Sequence, residues 1–98
     1  MLFRSLRFKE RGSGSFDNTI SDDISEGGIG FNASRFIAPS TPVMLEINIL
    51  SKILHPIGKV CWCQPLPHSY RSRLGVEFME LDPQEREYLA DYISLQGV

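Results

Sequence analysis

VMLEINIL, residues 43–50, shows the most regular alternation of apolar and polar side chains in this sequence. Successive side chains of an extended strand point to opposite faces, so the apolar residues of this segment share one face. Such a pattern is typical of an antiparallel sheet with a hydrophobic core on one side and water on the other. The segment therefore predicts a half-buried antiparallel strand. Its apolar face consists of Val43, Leu45, Ile47 and Ile49, and its polar face carries Glu46 and Asn48.

Five further segments have a strand-like composition and are separated by turns rich in glycine, proline and serine. None of their connections has the length and periodicity of a crossover helix, which favours antiparallel pairing. The sequence therefore predicts a mainly β protein, built as a six-stranded antiparallel β-barrel. The five segments are residues 2–9, 16–24, 29–34, 57–64 and 70–81.

A C-terminal α-helix is predicted after the last strand. Asp82 can accept hydrogen bonds from the free amides of a first turn, Pro83 suits the first helical position, and Glu85 follows three residues after the cap. Gly97 supplies a stop signal. The apolar stripe expected to pack on the barrel contains Tyr88, Leu89, Tyr92 and Ile93.

The composition limits both the size and the partners of the protein. With 98 residues, 42% of them hydrophobic, residues 1–98 are expected to form a single domain. A formal net charge of −2 gives no general attraction to DNA, RNA or an anionic membrane, so phosphate binding needs a local arginine cluster. No apolar run approaches the roughly 20 residues that cross a bilayer, and no signal peptide is recognisable. We expect a cytoplasmic domain without direct membrane insertion.

DISEGG, residues 23–28, places a carboxylate, a hydroxyl and an open backbone close together. Asp23 can accept hydrogen bonds from N1 and N2 of guanine, and Ser25 can bond a base or a phosphate. Gly27 and Gly28 would let a ligand approach the main chain and would permit unusual backbone angles. The alternative is an ordinary turn, because aspartate, serine and glycine are the residues that turns select.

The same segment, DISEGGI at residues 23–29, resembles the D/N-x-S-x-x-G signature of the PilZ family where it enters a strand. LGVEF at residues 74–78, followed by Leu81 and the predicted helix, is similar to the closing strand and terminal helix of PilZ domains. The resemblance spans almost the whole chain. It implies a PilZ-like barrel that binds cyclic di-GMP on its outer surface, with Asp23, Ser25 and Gly28 matching a binding motif of the family.

The family's other binding motif, R-x-x-x-R, has a literal match at Arg7 and Arg11. An arginine fork can bond guanine or phosphate in a bidentate manner, so both residues are candidate ligand contacts. However, the family usually carries this motif before the first strand, and only 11 residues separate Arg11 from Asp23. In the alternative interpretation residues 6–10 are themselves the first strand. Arg7 and Arg11 are then solvated charges, and the true arginine arm is absent, degenerate or located upstream.

The two cysteines and the tryptophan are interpreted as packing residues. Cys61 and Cys63 flank Trp62 in a predicted strand, where the two-residue period places both sulfurs on one face. Trp62 is interpreted as a core residue, and the alternative is an outward-facing ring that stacks on a base. His55 and His68 do not complete a recognised zinc-binding spacing with them. No metal site and no cofactor are predicted.

No catalytic site is predicted either. GIGFNA, residues 28–33, matches a dinucleotide fingerprint in letters but lies in a predicted strand, whereas that fingerprint requires a helix. Ser25 lacks the surroundings of a nucleophile elbow. Arg71 and Arg73 are interpreted as ordinary surface charges, and the alternative is that they supply positive charge near the ligand.

These observations favour a non-enzymatic sensor of cyclic di-GMP in bacterial signalling, with motility or biofilm formation as the regulated processes. Its ligand-binding residues are predicted to be Arg7, Arg11, Asp23, Ser25, Gly27 and Gly28. Ligand binding would alter contacts with a protein partner or an attached output domain, which requires the ligand to bind one state more tightly. The alternative is a degenerate PilZ protein that binds no nucleotide and acts as a protein-interaction adaptor, for example in pilus function or motility.

Overall fold

The computed structural model describes residues 4–21 and 23–96. Three features of the sequence analysis therefore lie outside the described residues: the start of the first predicted strand, position 22 and the helix stop at Gly97. The elements are β1 (Arg4–Glu10), β2 (Asp17–Ser21), β3 (Asp23–Ile24), β4 (Gly28–Ala33), β5 (Pro42–Ile49), β6 (Lys52–Leu54), β7 (Ile57–Pro65), β8 (Ser72–Glu80) and α1 (Pro83–Gln96).

The strands form a nearly closed antiparallel barrel in the order β2-β1-β5-β7-β8-β4-β3, and β6 extends β5 as a short hairpin. The first and last strands of this order, β2 and β3, are consecutive in the chain and together occupy the second predicted strand. One segment therefore pairs with β1 in its first part and with β4 in its second part. This closure confirms the predicted mainly β antiparallel barrel with a terminal helix. The barrel path has seven strands rather than the predicted six, because the second predicted strand is divided into β2 and β3.

The inner face of the barrel carries the hydrophobic core. All four apolar residues predicted to share the inner face of β5 are buried, as is the phenylalanine pair Phe8 and Phe31, whose ring centroids lie 4.8 Å apart. Burial of each such side chain stabilises the fold by about 1.5–3 kcal/mol. The remaining members of the core are Leu6, Ile29, Ala33, Ile37, Leu54, Val60, Leu74, Val76, Phe78, Leu89 and Tyr92.

A β-bulge in β7 overturns the interpretation of the cysteines and the tryptophan. The pairing with β8 is shifted between Val60 and Trp62, so Cys61 is an extra residue in the strand. An extra residue reverses the alternation of faces beyond it. Cys61 and Trp62 are consequently exposed, while Cys63 packs against the core. The prediction that Trp62 fills the core, and that both sulfurs share one face, was wrong for this reason.

Helix α1 begins as predicted at the Asp82 cap. Asp82 Oδ1 accepts hydrogen bonds from the backbone N–H groups of Gln84, at 2.8 Å, and Glu85, at 3.4 Å. The Glu85 carboxylate accepts a hydrogen bond from the backbone N–H of His55 at 2.8 Å. Glu85 therefore ties the start of the helix to the connection between β6 and β7. No helix in the described part of the chain has the length and apolarity needed to cross a membrane.

The rest of α1 rests on the barrel through few side chains. Leu89 and Tyr92 are buried, and the Tyr88 hydroxyl donates a hydrogen bond to the carbonyl oxygen of Ile49 at 3.0 Å. Arg4 Nε, at the start of β1, donates a hydrogen bond to the Tyr92 hydroxyl at 3.0 Å. The helix is thus anchored to β5 through one tyrosine and to β1 through the other.

Arg35, in the connection after β4, joins this loop to the first hairpin. Its guanidinium donates hydrogen bonds to Asp17 Oδ2 at 2.6 Å and to Glu10 Oε2 at 2.9 Å. These hydrogen bonds, led by that to Asp17, raise the pKa of Arg35 above its ordinary value. Arginine is protonated at physiological pH in any case, so this contact does not act as a pH switch.

Removal of the helix cap should lower stability. We expect Asp82→Ala to reduce the free energy of unfolding by about 1 kcal/mol, because two backbone N–H groups lose their acceptor. Asp82→Asn keeps an acceptor oxygen and should retain most of the stability. Urea denaturation of the three proteins measures the difference. Equal stability of the alanine and asparagine variants would contradict the capping role.

Candidate functional site

Four cross-strand partners form a row across the outer face of the sheet. Asp23 on β3 pairs with Gly30 on β4, Gly30 pairs with Gly75 on β8, and Gly75 pairs with Trp62 on β7. The two central residues have no side chain, which makes room for the Trp62 indole over Gly75 and for the Asp23 and Arg73 side chains beside Gly30. Three strand spacings separate the ends of the row, which is roughly 14 Å. The row lies in an open groove of about 290 Å³.

The indole of Trp62 forms one end of the groove. It lies so close over Gly75 that a Cβ atom at this position would overlap the indole Nε1 and Cε2 atoms. The side chain is nevertheless 47% exposed. A half-exposed indole on a sheet offers a surface on which a planar ring can stack. The sequence contains no signal for this placement, because it depends on the bulge that makes Cys61 an extra residue.

Asp23 forms the other end of the groove, and Arg73 lies beside it without lining the groove. Arg73 Nη2 lies 3.7 Å from Asp23 Oδ2, and Arg73 Nη1 donates to Asn32 Oδ1 at 3.5 Å. A Cβ atom at Gly30 would lie 3.0 Å from Asp23 Oδ2 and 3.1 Å from Arg73 Nη2, so this glycine makes room for the pair. Asp23 remains 71% exposed. Arg73, interpreted from sequence as an ordinary surface charge, thus lies beside the predicted ligand carboxylate.

Ser25 lines the groove and also stabilises the turn that leads into β4. Its backbone N–H donates to the carbonyl oxygen of Gly28 at 2.9 Å, and its hydroxyl accepts from the N–H of Gly27 at 3.3 Å. Ser25 therefore both stabilises the turn and lines the groove, so the two interpretations of this motif are not exclusive.

The two glycines of the motif have different surroundings. A Cβ atom at Gly28 would overlap the carbonyl oxygen of Val76 on β8, whereas nothing lies within 4 Å of a Cβ atom at Gly27. Neither glycine has a positive φ, so the expected unusual backbone angles do not occur. Gly28 is required by the close approach of β4 to β8, and Gly27 leaves its side of the turn open.

The structure places Arg7 and Arg11 away from the residues that line the groove. Arg7 points outward from β1, where its Nη1 lies 3.2 Å from Glu46 Oε1 and its guanidinium stacks 4.6 Å from the ring centroid of Phe16. It lines a second groove of about 220 Å³, which shares no lining residue with the first. Arg11 is exposed in the turn after β1, and its N–H donates to the carbonyl oxygen of Pro42. Residues 6–10 belong to the first strand, as the alternative interpretation of the arginines expected.

The groove thus contains four of the six predicted ligand residues, namely Asp23, Ser25, Gly27 and Gly28. Both charged residues in its lining, Asp23 and Glu77, are acidic, and Lys59 is the cross-strand partner of Glu77 without lining the groove itself. Such a groove suits the donor edge of a base better than a phosphate. Within residues 4–21 and 23–96, no three histidine, cysteine or acidic side chains come together as metal ligands.

Alanine substitutions at the two motif glycines should differ in their effect on folding. Gly28→Ala is expected to lower the free energy of unfolding by about 1–3 kcal/mol, because the added methyl group must push β8 away. Gly27→Ala, the matched control, should change it by less than about 0.5 kcal/mol. Urea denaturation measures both values. Similar losses in the two variants would show that the close approach of β4 and β8 is not what requires Gly28.

Comparison with protein families matches residues 5–95 to the PilZ domain. Among solved structures, the chain is similar to the Bacillus subtilis inhibitor of motility, MotI/DgrA, with a TM-score of 0.84 and 16% sequence identity. The alignment covers 98% of this chain and 47% of that one, so the chain spans about half the length of MotI/DgrA. No curated protein matches it by sequence. Because the family match includes nearly every strand of the barrel and the terminal helix, this chain belongs to the PilZ domain family.

Proposed function

We propose that this chain binds cyclic di-GMP in the groove between Asp23 and Trp62 and acts as a non-enzymatic sensor module. PilZ domains are binding and adaptor modules, and the family is associated with this ligand in general. The observation that carries the proposal for this chain is the row of Asp23, Gly30, Gly75 and Trp62. It combines a hydrogen-bond acceptor for guanine with an aromatic surface, and the two residues between them are glycines.

Each end of the row has a distinct part in recognition. The exposed Asp23 carboxylate accepts hydrogen bonds from N1–H and N2–H of guanine, a donor pair that adenine lacks at the same edge. Arg73, 3.7 Å from that carboxylate, helps to orient it. The half-exposed indole of Trp62 stacks on a base, an interaction that contributes about 1–3 kcal/mol in single-stranded nucleic acid complexes.

The phosphates of the ligand require cations, and the described lining of the groove contains no lysine or arginine. Arg73 lies beside Asp23 outside this lining, and Lys59 lies beside Glu77 in the neighbouring row. Arg7 and Arg11 remain the proposed phosphate contacts of the R-x-x-x-R motif. The pairing of Arg7 with Glu46 and its place in the second groove weigh against a direct contact, so these two residues are tested separately.

Binding would alter contacts with a partner rather than make or break a covalent bond. A ligand changes a conformational equilibrium only by its difference in affinity for the two states. We propose a protein partner or an attached domain as the recipient, in the cytoplasm, and a process related to motility. The proposal of a motility-related process is supported by the similarity in fold to the protein named as an inhibitor of motility.

A second candidate function is that of an adaptor that binds protein without nucleotide. It is favoured by the charges of the groove, because the two charged residues in its lining, Asp23 and Glu77, are both acidic, and Arg73 lies outside that lining. It is also favoured by the absence of Arg7 and Arg11 from the lining of that groove.

Calorimetric titration of cyclic di-GMP into the chain tests the proposal. The wild type should bind with a micromolar or lower Kd, which is about −8 kcal/mol or better. Asp23→Ala and Trp62→Ala should each weaken binding by roughly 10-fold or more, because they remove a charged acceptor and a stacking surface. Asp91→Ala and Tyr70→Ala, exposed residues that do not line the groove, are the matched controls. No binding by the folded wild type would favour the adaptor function.

The contribution of the arginine motif is tested by a double Arg7→Ala, Arg11→Ala variant. If the groove acts without these residues, the variant should bind cyclic di-GMP within about twofold of the wild type, since neither lines the groove. Glu46→Gln controls for loss of the Arg7 ion pair without loss of arginine. A loss of binding in the double variant, with normal binding by Glu46→Gln, would show that Arg7 and Arg11 contact the ligand.

A further inference from the structure

Ser21 is a buried hydroxyl placed directly behind the Asp23 end of the groove. Its side chain is 1% exposed, accepts a hydrogen bond from the backbone N–H of Asp23 at 3.2 Å and donates one to the carbonyl oxygen of Gly30 at 2.5 Å. Asp23 and Gly30 are adjacent members of the row that forms the groove. One hydroxyl therefore fixes the strand end that carries the carboxylate against the strand that forms the floor.

Ser21 is in turn linked to β1. Arg4 and Ser21 are cross-strand partners in the β1–β2 pairing, and Arg4 Nη1 reaches the Ser21 carbonyl oxygen at 3.5 Å. The guanidinium contact is long, but the backbone register keeps the two residues together. Arg4 therefore contacts the last residue of β2, two positions before Asp23.

The same guanidinium contacts the terminal helix. Arg4 Nε donates to the Tyr92 hydroxyl at 3.0 Å, and its Cζ atom lies 5.1 Å from the centroid of the Tyr92 ring. Tyr92 is one of two buried residues of α1. Tyr92, Arg4, Ser21 and Asp23 thus form an unbroken series of contacts from the helix to the groove.

We propose that Tyr92 and Arg4 are positioning residues for Asp23, so that docking of α1 on the barrel and ligand binding in the groove stabilise each other. The part of this inference that concerns nucleotide rests on the proposed function. Coupling between two sites is reciprocal, so if the docked helix improves affinity, the ligand must strengthen helix docking by the same factor.

Helix α1 is suited to such a role because its attachment is limited. Its packing on the barrel consists of the buried Leu89 and Tyr92 and the partly buried Tyr88 and Ile93. Hydrogen bonds of Glu85, Tyr88 and Tyr92 complete the attachment. Terminal elements with few buried contacts open at lower free energy than the core of a domain. A partner that captures or displaces α1 would therefore change the position of Asp23 without entering the groove.

The two helix tyrosines provide a matched test. Tyr92→Phe removes the hydroxyl that accepts from Arg4 and keeps the ring, while Tyr88→Phe removes the hydroxyl that donates to Ile49 on β5. Both changes weaken helix docking through one hydrogen bond, but only the first touches the series that leads to Asp23. Arg4→Lys, which keeps the positive charge and loses the planar fork, serves as a second variant.

Two measurements are made on each protein. The first is hydrogen exchange of the Asp23 amide in the absence of ligand, because this amide is the one held by Ser21. The second is the Kd for cyclic di-GMP by calorimetry. We expect Tyr92→Phe and Arg4→Lys to accelerate the exchange and to raise the Kd about fivefold, within the usual range of coupling between sites. Tyr88→Phe should leave both values within twofold of the wild type.

The outcomes separate this inference from the proposed function. If the wild type binds no cyclic di-GMP, the proposed function fails, and the exchange of the Asp23 amide alone decides whether α1 is coupled to the groove. If the wild type binds, and Tyr92→Phe matches Tyr88→Phe in both measurements, the helix acts only on general stability and the inference is overturned.

Discussion

Closure of the barrel by a single segment is the constraint on which the rest of the structure depends. The segment that contains β2 and β3 pairs with β1 up to Ser21 and with β4 from Asp23 onward. A chain that changes partners leaves backbone groups to be satisfied by other means. Thr19 and Ser21 supply these means, since their hydroxyls donate to carbonyl oxygens of β4 across the seam. Asp23 is the first residue described beyond the seam, which explains why the candidate site lies there.

The order of the strands then determines what faces the carboxylate. Because β4 pairs with β8 and β8 pairs with β7, two glycines separate Asp23 from a residue on β7 that is about forty positions away in sequence. The bulge in β7 makes that residue Trp62. The barrel closure, the strand register and the β7 bulge together bring the Asp23 carboxylate and the Trp62 ring to one face of the sheet.

The sequence predicted the barrel, the terminal helix and the Asp82 cap, because these depend on local alternation, on turn residues and on a cap within three positions. It did not predict Trp62 or Arg73 at the site. An inserted residue such as Cys61 changes the face of every residue after it and leaves no mark in composition. The hydrogen bond from the His55 backbone N–H to Glu85 could not be predicted either, since it depends on where the helix meets the barrel.

The D-x-S-x-x-G motif combines requirements of the fold with requirements of a ligand, and the structure separates them. Gly28 is needed because β8 approaches too closely for a side chain, and Ser25 is needed to hold the turn into β4. A PilZ barrel that binds no nucleotide would still require both. Asp23 differs, because its carboxylate is largely exposed and lies 3.7 Å from the Arg73 guanidinium. Asp23 and the distant Trp62, rather than the motif as a whole, are therefore the residues that distinguish a nucleotide sensor from an adaptor.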